Sequence, residues 1–173
     1  MATILRGSDN LDSSKVVSEE LAGSIVTDAS GNVSLPYQPS ISRYLNSNTS
    51  VLVNATISKI PFDVSRHQQG ISYNPSTYAF TVPVAGKYLV TASARIQNSG
   101  GHAGELSICK NGSYHVYVYN NNINPYDGMS VSAVIDMQAN DYLDVRMWQD
   151  SGLTLSVSGN GSGVTTFTAM LIG

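Results

Sequence analysis

The chain has 173 residues and a mass of 18.4 kDa, room for one domain with a sizeable core and a short appendage. Charged residues make up only 12% and the net charge is −3, while Ser, Asn and Thr number 25, 14 and 11; with no basic run, nucleic-acid binding through phosphate neutralisation is disfavoured. A hydrophobic share of 42% is too high for a disordered chain, and no apolar run approaches the roughly 18 residues needed to cross a bilayer.

The opening residues, Met1 to Ser8, lack the basic-then-apolar pattern of a secretory signal. Cys109 is the only cysteine, so no intrachain disulfide can form. Together these features lead us to expect a chain made and folded in a host cytoplasm. Val17, Leu21 and Ile25 then recur every fourth residue, with Ser14 before them and Glu19 and Glu20 in the early turns. That spacing suits a short helix over residues 13–26, weakened by Gly23. Residues 28–50 are rich in Ser, Asn, Gly and Pro, including Pro36 and Pro39, and read as an extended segment. The expected organisation is an N-terminal anchoring arm over residues 1–46 and a head over residues 47–173.

From Val51 the pattern becomes period-two alternation. Over residues 87–97, Tyr88, Val90, Ala92, Ala94 and Ile96 share one face, while Lys87, Thr91, Ser93, Arg95 and Gln97 share the other with Leu89. This is a half-buried antiparallel strand. Similar strands are expected over 51–57, 78–82, 105–109, 114–119, 129–137, 142–148, 153–158 and 164–172. Turn residues separate them, and Asn111-Gly112 is a strong two-residue hairpin signal. Many short strands with no helical pattern between them imply an all-β sandwich. We find no internal repeat.

The order of particular residues says more. Ile60-Pro61-Phe62-Asp63 is followed by Gly70-Ile71-Ser72-Tyr73 and then by Phe80-Thr81-Val82-Pro83-Val84-Ala85-Gly86-Lys87-Tyr88. This series resembles the complement C1q globular head, whose signature is Phe-x-Val-Pro-x-x-Gly-x-Tyr. Lys110-Asn111-Gly112, Asn140-Asp141-Tyr142-Leu143-Asp144-Val145 and Phe167-Thr168-Ala169-Met170-Leu171 fall where that family has its hairpin turn, its Gly-Asp strand lead and its closing strand. Three positions depart from the pattern: Asn140 and Ala169 replace glycines, and Tyr78 stands where a glycine often precedes the signature strand. The resemblance covers Val51 to Gly173. It implies a ten-stranded antiparallel jelly roll that assembles as a homotrimer, like the tumour-necrosis-factor fold. By the same resemblance Val51, Val53, Phe167 and Met170, with Phe80 and Tyr88, are candidates for the core or the trimer interface.

Chemistry is sparse. His67 and His102 are expected in loops and His115 on a strand, and no His-x-x-x-His, Cys-x-x-Cys or Gly-x-Ser-x-Gly spacing occurs. Cys109 reads as a small buried apolar group. Asp127, Asp136, Asp141, Asp144 and Asp150 are scattered, without the spacing of a calcium loop. We therefore expect no catalytic set, no metal and no cofactor. The unusual feature is tyrosine: Tyr114, Tyr117, Tyr119 and Tyr126 surround the run Asn120 to Pro125. Rigid rings beside amide groups make adaptable binding surfaces. With Asn122 they form a candidate carbohydrate-stacking site, the alternative being that the rings pack between protomers.

The expected function is that of a non-catalytic bacteriophage virion protein. It would be a trimeric head decoration or short fibre whose arm docks on a capsid or tail protein. The head would face outward on the virion surface, in reach of host surface glycan or protein. The alternative is a bacterial glycan- or protein-binding adhesin with the same head.

Overall fold

The computed structural model describes residues 26–27, 33–34, 38–97, 100–161 and 163–173. The chain forms two compact units, Met1–Tyr37 and Gln38–Gly173. In the first, β1 (Val26–Thr27) pairs antiparallel with β2 (Val33–Ser34). The helix expected over residues 13–26 lies outside the described residues except at Val26. There it is corrected: β-branched Val26 is in β1, the backbone state that suits it.

The second unit is built from strands. In chain order they are β3 (Ser40–Tyr44), β4 (Thr49–Leu52), β5 (Ser58–Lys59), β6 (Val64–Gln69), β7 (Ser72–Asn74) and β8 (Ala79–Thr81). There follow β9 (Gly86–Gln97), β10 (His102–Lys110), β11 (Ser113–Ile123), β12 (Gly128–Met137), β13 (Tyr142–Gln149), β14 (Leu155–Val157) and β15 (Thr166–Leu171). Two antiparallel sheets result. The first runs β11–β10–β13–β8–β7, and β5 pairs with β13 beyond the end of β8. In the second, β12 and β15 flank the long β9, and β3 and β6 follow β15. A short ribbon of β14 and β4 continues from the far end of β9. The two sheets hold six and seven strands, so the head has thirteen described strands where ten were expected.

Residues 38–46, assigned to the arm from sequence, belong to the head in the structure. β3 lies between β15 and β6, with Ile41 and Leu45 buried. Its other residues are hydroxyl-bearing or basic, which hides a sheet strand behind a linker-like composition.

Alternation explains the layers. Tyr88, Val90, Ala92, Ala94 and Ile96 of β9 point into the core beside Phe167 and Ala169 of β15, and Leu106 and Ile108 of β10 meet them from the other sheet. Phe80 and Phe167 join the sheets directly: their rings stack at 4.0 Å and 9°. Phe62 tilts against Phe167 at 5.5 Å, and Tyr73 meets Phe80 edge-on at 5.5 Å. Aromatic contacts of this kind add about 1 kcal/mol each beyond area burial. Burial also raises the Tyr73 phenol to about 12. Phe80, Tyr88 and Phe167 are thus core residues.

The turns carry the special backbone. Asn111 (φ 51°) and Gly112 (φ 84°) form the β10–β11 hairpin turn with both residues at positive φ. Asn140 (φ 71°) and Tyr78 (φ 56°) also occupy the left-handed region, which accounts for the glycines usual at both positions. At Gly86 a Cβ would lie 2.6 Å from Leu171 Cδ1 and 2.7 Å from the Gly173 carbonyl, so the chain end packs where only hydrogen fits.

The head has two distinct ends. At one, the chain enters and finishes together: Leu171 N donates to Pro39 O at 2.9 Å, Ile172 N donates to Lys87 O at 2.8 Å, and the Gln38 amide donates to Leu171 O. At the other, fully buried Gln149 ties two loops. Its Nε2 donates to Leu52 O at 3.0 Å and Leu153 O at 2.8 Å, and its Oε1 accepts from Ser151 N at 2.7 Å. Val53, Ile57 and Leu153 are exposed around that staple.

Candidate functional site

The two sheets turn very different faces outward. On the sheet centred on β9, three rows of residues lie directly opposite one another. The first is Val134, Leu89, Met170 and Ser40. The second is Ser132, Thr91, Thr168 and Ser42, and the third Ser130, Ser93, Thr166 and Tyr44. None of these residues is charged. The hydroxyls bond one another, Ser93 with Thr166 at 2.9 Å and Thr168 with Ser42 at 3.1 Å. A shallow groove of about 340 Å³ runs between Ser130, Ser132, Thr91 and Ser93. Val134 is 54% exposed, Met170 38% and Leu89 37%, a continuous apolar row on three neighbouring strands. A flat, small-residue, low-charge face of this kind lets another backbone approach closely.

The other sheet presents rings and ions. Three rows cross β11, β10 and β13: Tyr119, Glu105 and Trp148; Tyr117, Ser107 and Arg146; Tyr114, Cys109 and Asp144. Tyr114, Tyr117 and Tyr119 are exposed, and Tyr114 meets Tyr117 edge-on with centroids 6.4 Å apart. Beneath them Ser107 and Cys109 are buried although their strand faces outward. Burial pushes the Cys109 thiol up, and it also raises Tyr114, helped by the neighbouring Glu105. Asp144 is fully buried and accepts from Arg146 Nε at 2.6 Å and Nη2 at 3.1 Å, with Lys59 Nζ at 3.0 Å. That pairing holds the Arg146 guanidinium above its ordinary value. Glu105 is different: its Oε1 is shielded from solvent and accepts no hydrogen bond among the described residues. A shielded acceptor left so costs about 1–3 kcal/mol.

The sequence-derived candidates divide between these places. Tyr114, Tyr117 and Tyr119 come together on β11. Asn122 sits at the end of that strand, its N–H bonded to Asn120 Oδ1 at 3.0 Å. Tyr126 is separated from the cluster: its N–H bonds Ile96 O and its ring lies 5.4 Å below the Arg95 guanidinium of β9. Met170 lies on the apolar row. Val51 is half-buried in β4, at the edge of the β9 sheet beside β14. Val53 is 49% exposed just after β4 and so lies outside the core.

The histidines also differ from expectation. His67 is on β6, where Nε2 lies 2.8 Å from Ser40 Oγ, and His102 is buried at the start of β10 with both ring nitrogens unpartnered among the described residues. His115 is exposed on β11. Among the described residues no three His, Cys, Asp or Glu side chains converge on one point.

Glu105, Arg146 and Trp148 escaped the sequence reading. Alternation puts Glu105, Ser107 and Cys109 on one side of their strand and Asp144, Arg146 and Trp148 on one side of theirs. What the sequence lacked was the register that sets both beside β11.

The model of the C1q domain matches residues 44–172. The chain belongs to the C1q domain family. No curated protein matches the sequence at a significant level. Among solved structures, the crystal structure of murine APRIL, from mouse, superimposes with a TM-score of 0.57 at 13% identity, covering 78% of this chain and 99% of the other. That likeness establishes the jelly-roll fold shared by the C1q and tumour-necrosis-factor families. Domains of this kind are typically non-enzymatic, often trimeric and often binding modules.

Proposed function

We propose that this C1q-domain chain is a homotrimeric, non-catalytic surface protein of a bacteriophage virion, a head decoration or short fibre. The observation that carries the trimer is the uncharged middle of the β9 sheet's outward face, between Lys87 and Arg95, where the row Val134, Leu89 and Met170 adjoins two hydroxyl rows. Packing that face around a three-fold axis buries apolar surface without stranding a charge. The virion reading is supported by the single cysteine, which leaves no intrachain disulfide, and by the polarity of the head. Gln38 and Leu171 share one end of the head, and Val53, Ile57 and Leu153 are exposed at the opposite end, where they are open to a partner. The ringed face of β11 favours a second reading, a bacterial glycan- or protein-binding adhesin built on the same head.

Light scattering on a sizing column tests the assembly. Three chains of 18.4 kDa give about 55 kDa, whereas a stable monomer overturns the trimer. Peptides of the chain in purified virions, lost when residues 1–37 are deleted, support the mount. Absence of the full chain from purified particles overturns it.

A further inference from the structure

The β11–β10–β13 face carries a site with its own chemistry. It has rings at Tyr114, Tyr117, Tyr119 and Trp148, a carboxylate at Glu105 with one unpartnered oxygen, and a guanidinium at Arg146 one row away. Asp144 is already satisfied by Arg146 and Lys59, so the local charge is the Glu105 carboxylate, hydrogen-bonded to Tyr114 but in no ion pair among the described residues, beside a slightly cationic cluster. Such a surface balances to neutral. A simple cation is attracted by Glu105 and the ring faces but repelled by Arg146 and Lys59; a simple anion meets the reverse. A sugar ring matches all the groups at once. Its C–H face stacks on an aromatic ring, one hydroxyl donates to Glu105, and another accepts from the cationic side.

We propose that this face binds neutral glycan, with Tyr117, Tyr119 and Trp148 as stacking rings and Glu105 as the hydroxyl acceptor. The proposal rests on the preceding reading in one respect only: the β9 sheet, and not this one, is the face buried in the assembly. It holds equally for a virion head and for an adhesin.

Trp148 is the only tryptophan in the chain, so its emission reports on this face alone. The full-length protein is titrated with galactose, glucose, mannose and N-acetylglucosamine and with short oligosaccharides of each, and separately with choline and with sialic acid. A saturable change in emission with at least one neutral sugar is expected. Glu105→Gln and Tyr117→Ala each weaken it about tenfold or more, while assembly mass and melting temperature stay at wild-type values. Tyr117 is 60% exposed, so its truncation leaves the core intact. No response to any neutral sugar, a response only to choline or only to sialic acid, or full binding in both variants overturns the site. A monomeric mass, or absence from virions, alongside a neutral-sugar response that both variants weaken, overturns the preceding reading and leaves this one standing.

Discussion

The outward faces of β9 and β10 start from the same alternation and end differently. On β9 the outward Thr91 and Ser93 stay partly exposed, because their neighbours Ser130, Ser132, Thr166 and Thr168 are equally small. On β10 the outward Ser107 and Cys109 are buried, because Tyr114 and Tyr117 on one side and Arg146 on the other reach over them. Position on a strand therefore fixes direction, while the size of the cross-strand neighbours fixes exposure. Small neighbours leave a plane that a second backbone can approach. Large ones raise a thin outer layer with its own buried groups, including a carboxylate oxygen with no donor. We assign association to the first face and ligand binding to the second on that ground.

The largest effect expected removes both faces together. Phe80→Ala deletes the ring stacked on Phe167 and edge-on to Tyr73, the direct bridge between the sheets. A loss of about 3–5 kcal/mol is expected, seen in calorimetry as a fall in Tm of roughly 10 °C. A fall of a degree or two would mean that the sheets do not depend on this stack. Leu89→Asp acts on one face only. It sets a carboxylate between Val134 and Met170, and burying that charge unpaired costs about 3 kcal/mol or more per interface. The scattering mass then falls to that of one chain while the Trp148 response persists. A Leu89→Asp variant that stays trimeric would place the interface elsewhere.

Much of this organisation is legible in the sequence. The alternation of Tyr88 to Ile96, the Asn111-Gly112 turn and the order of the signature around Phe80 all agree with the sandwich and with the family. What was hidden depends on pairing. Ser40 to Tyr44 looks like linker because Ile41 is its only buried apolar residue. Val53 looks like a strand residue because Val51 and Leu52 precede it, yet the chain turns there, with Thr56 N bonded to Val53 O at 3.2 Å. Tyr126 follows the tyrosine run in sequence, but the loop after β11 carries it over to Arg95 of the other sheet. Glu105 and Trp148 are 43 positions apart and meet only through the β10–β13 register. A tyrosine cluster was visible, whereas the charges that give it selectivity were not.

Smaller effects come from the acidic groups. Asp144→Asn leaves Lys59 and Arg146 without their shared carboxylate at a fully buried position. It is expected to cost about 2 kcal/mol in urea unfolding, with the assembly mass unchanged. No loss in urea would show that Asp144 contributes little beyond its volume.

The smallest effect expected is at Asp141, which lies off both faces and serves as their control. Its carboxylate accepts from Asn111 Nδ2 at 2.7 Å and from Gln138 N at 2.8 Å, with Lys110 Nζ at 3.0 Å. Asn111 first, then the Gln138 N–H and Lys110, hold its pKa down to about 2 from 3.8. A depressed carboxyl stabilises the fold fully above the unfolded value and loses that contribution as the pH falls through the folded one. After solvent screening this is worth about 1 kcal/mol at neutral pH. Asp141→Asn should therefore lower Tm by roughly 2–4 °C at pH 7, and the gap to wild type should close between about pH 4 and pH 2. A gap that stays constant across that window would mean that the amide fails for want of a fitting acceptor, not for want of charge. Neither the sugar response nor the assembly mass should move at pH 7, since the turn it braces joins strand ends away from both the apolar row and Glu105.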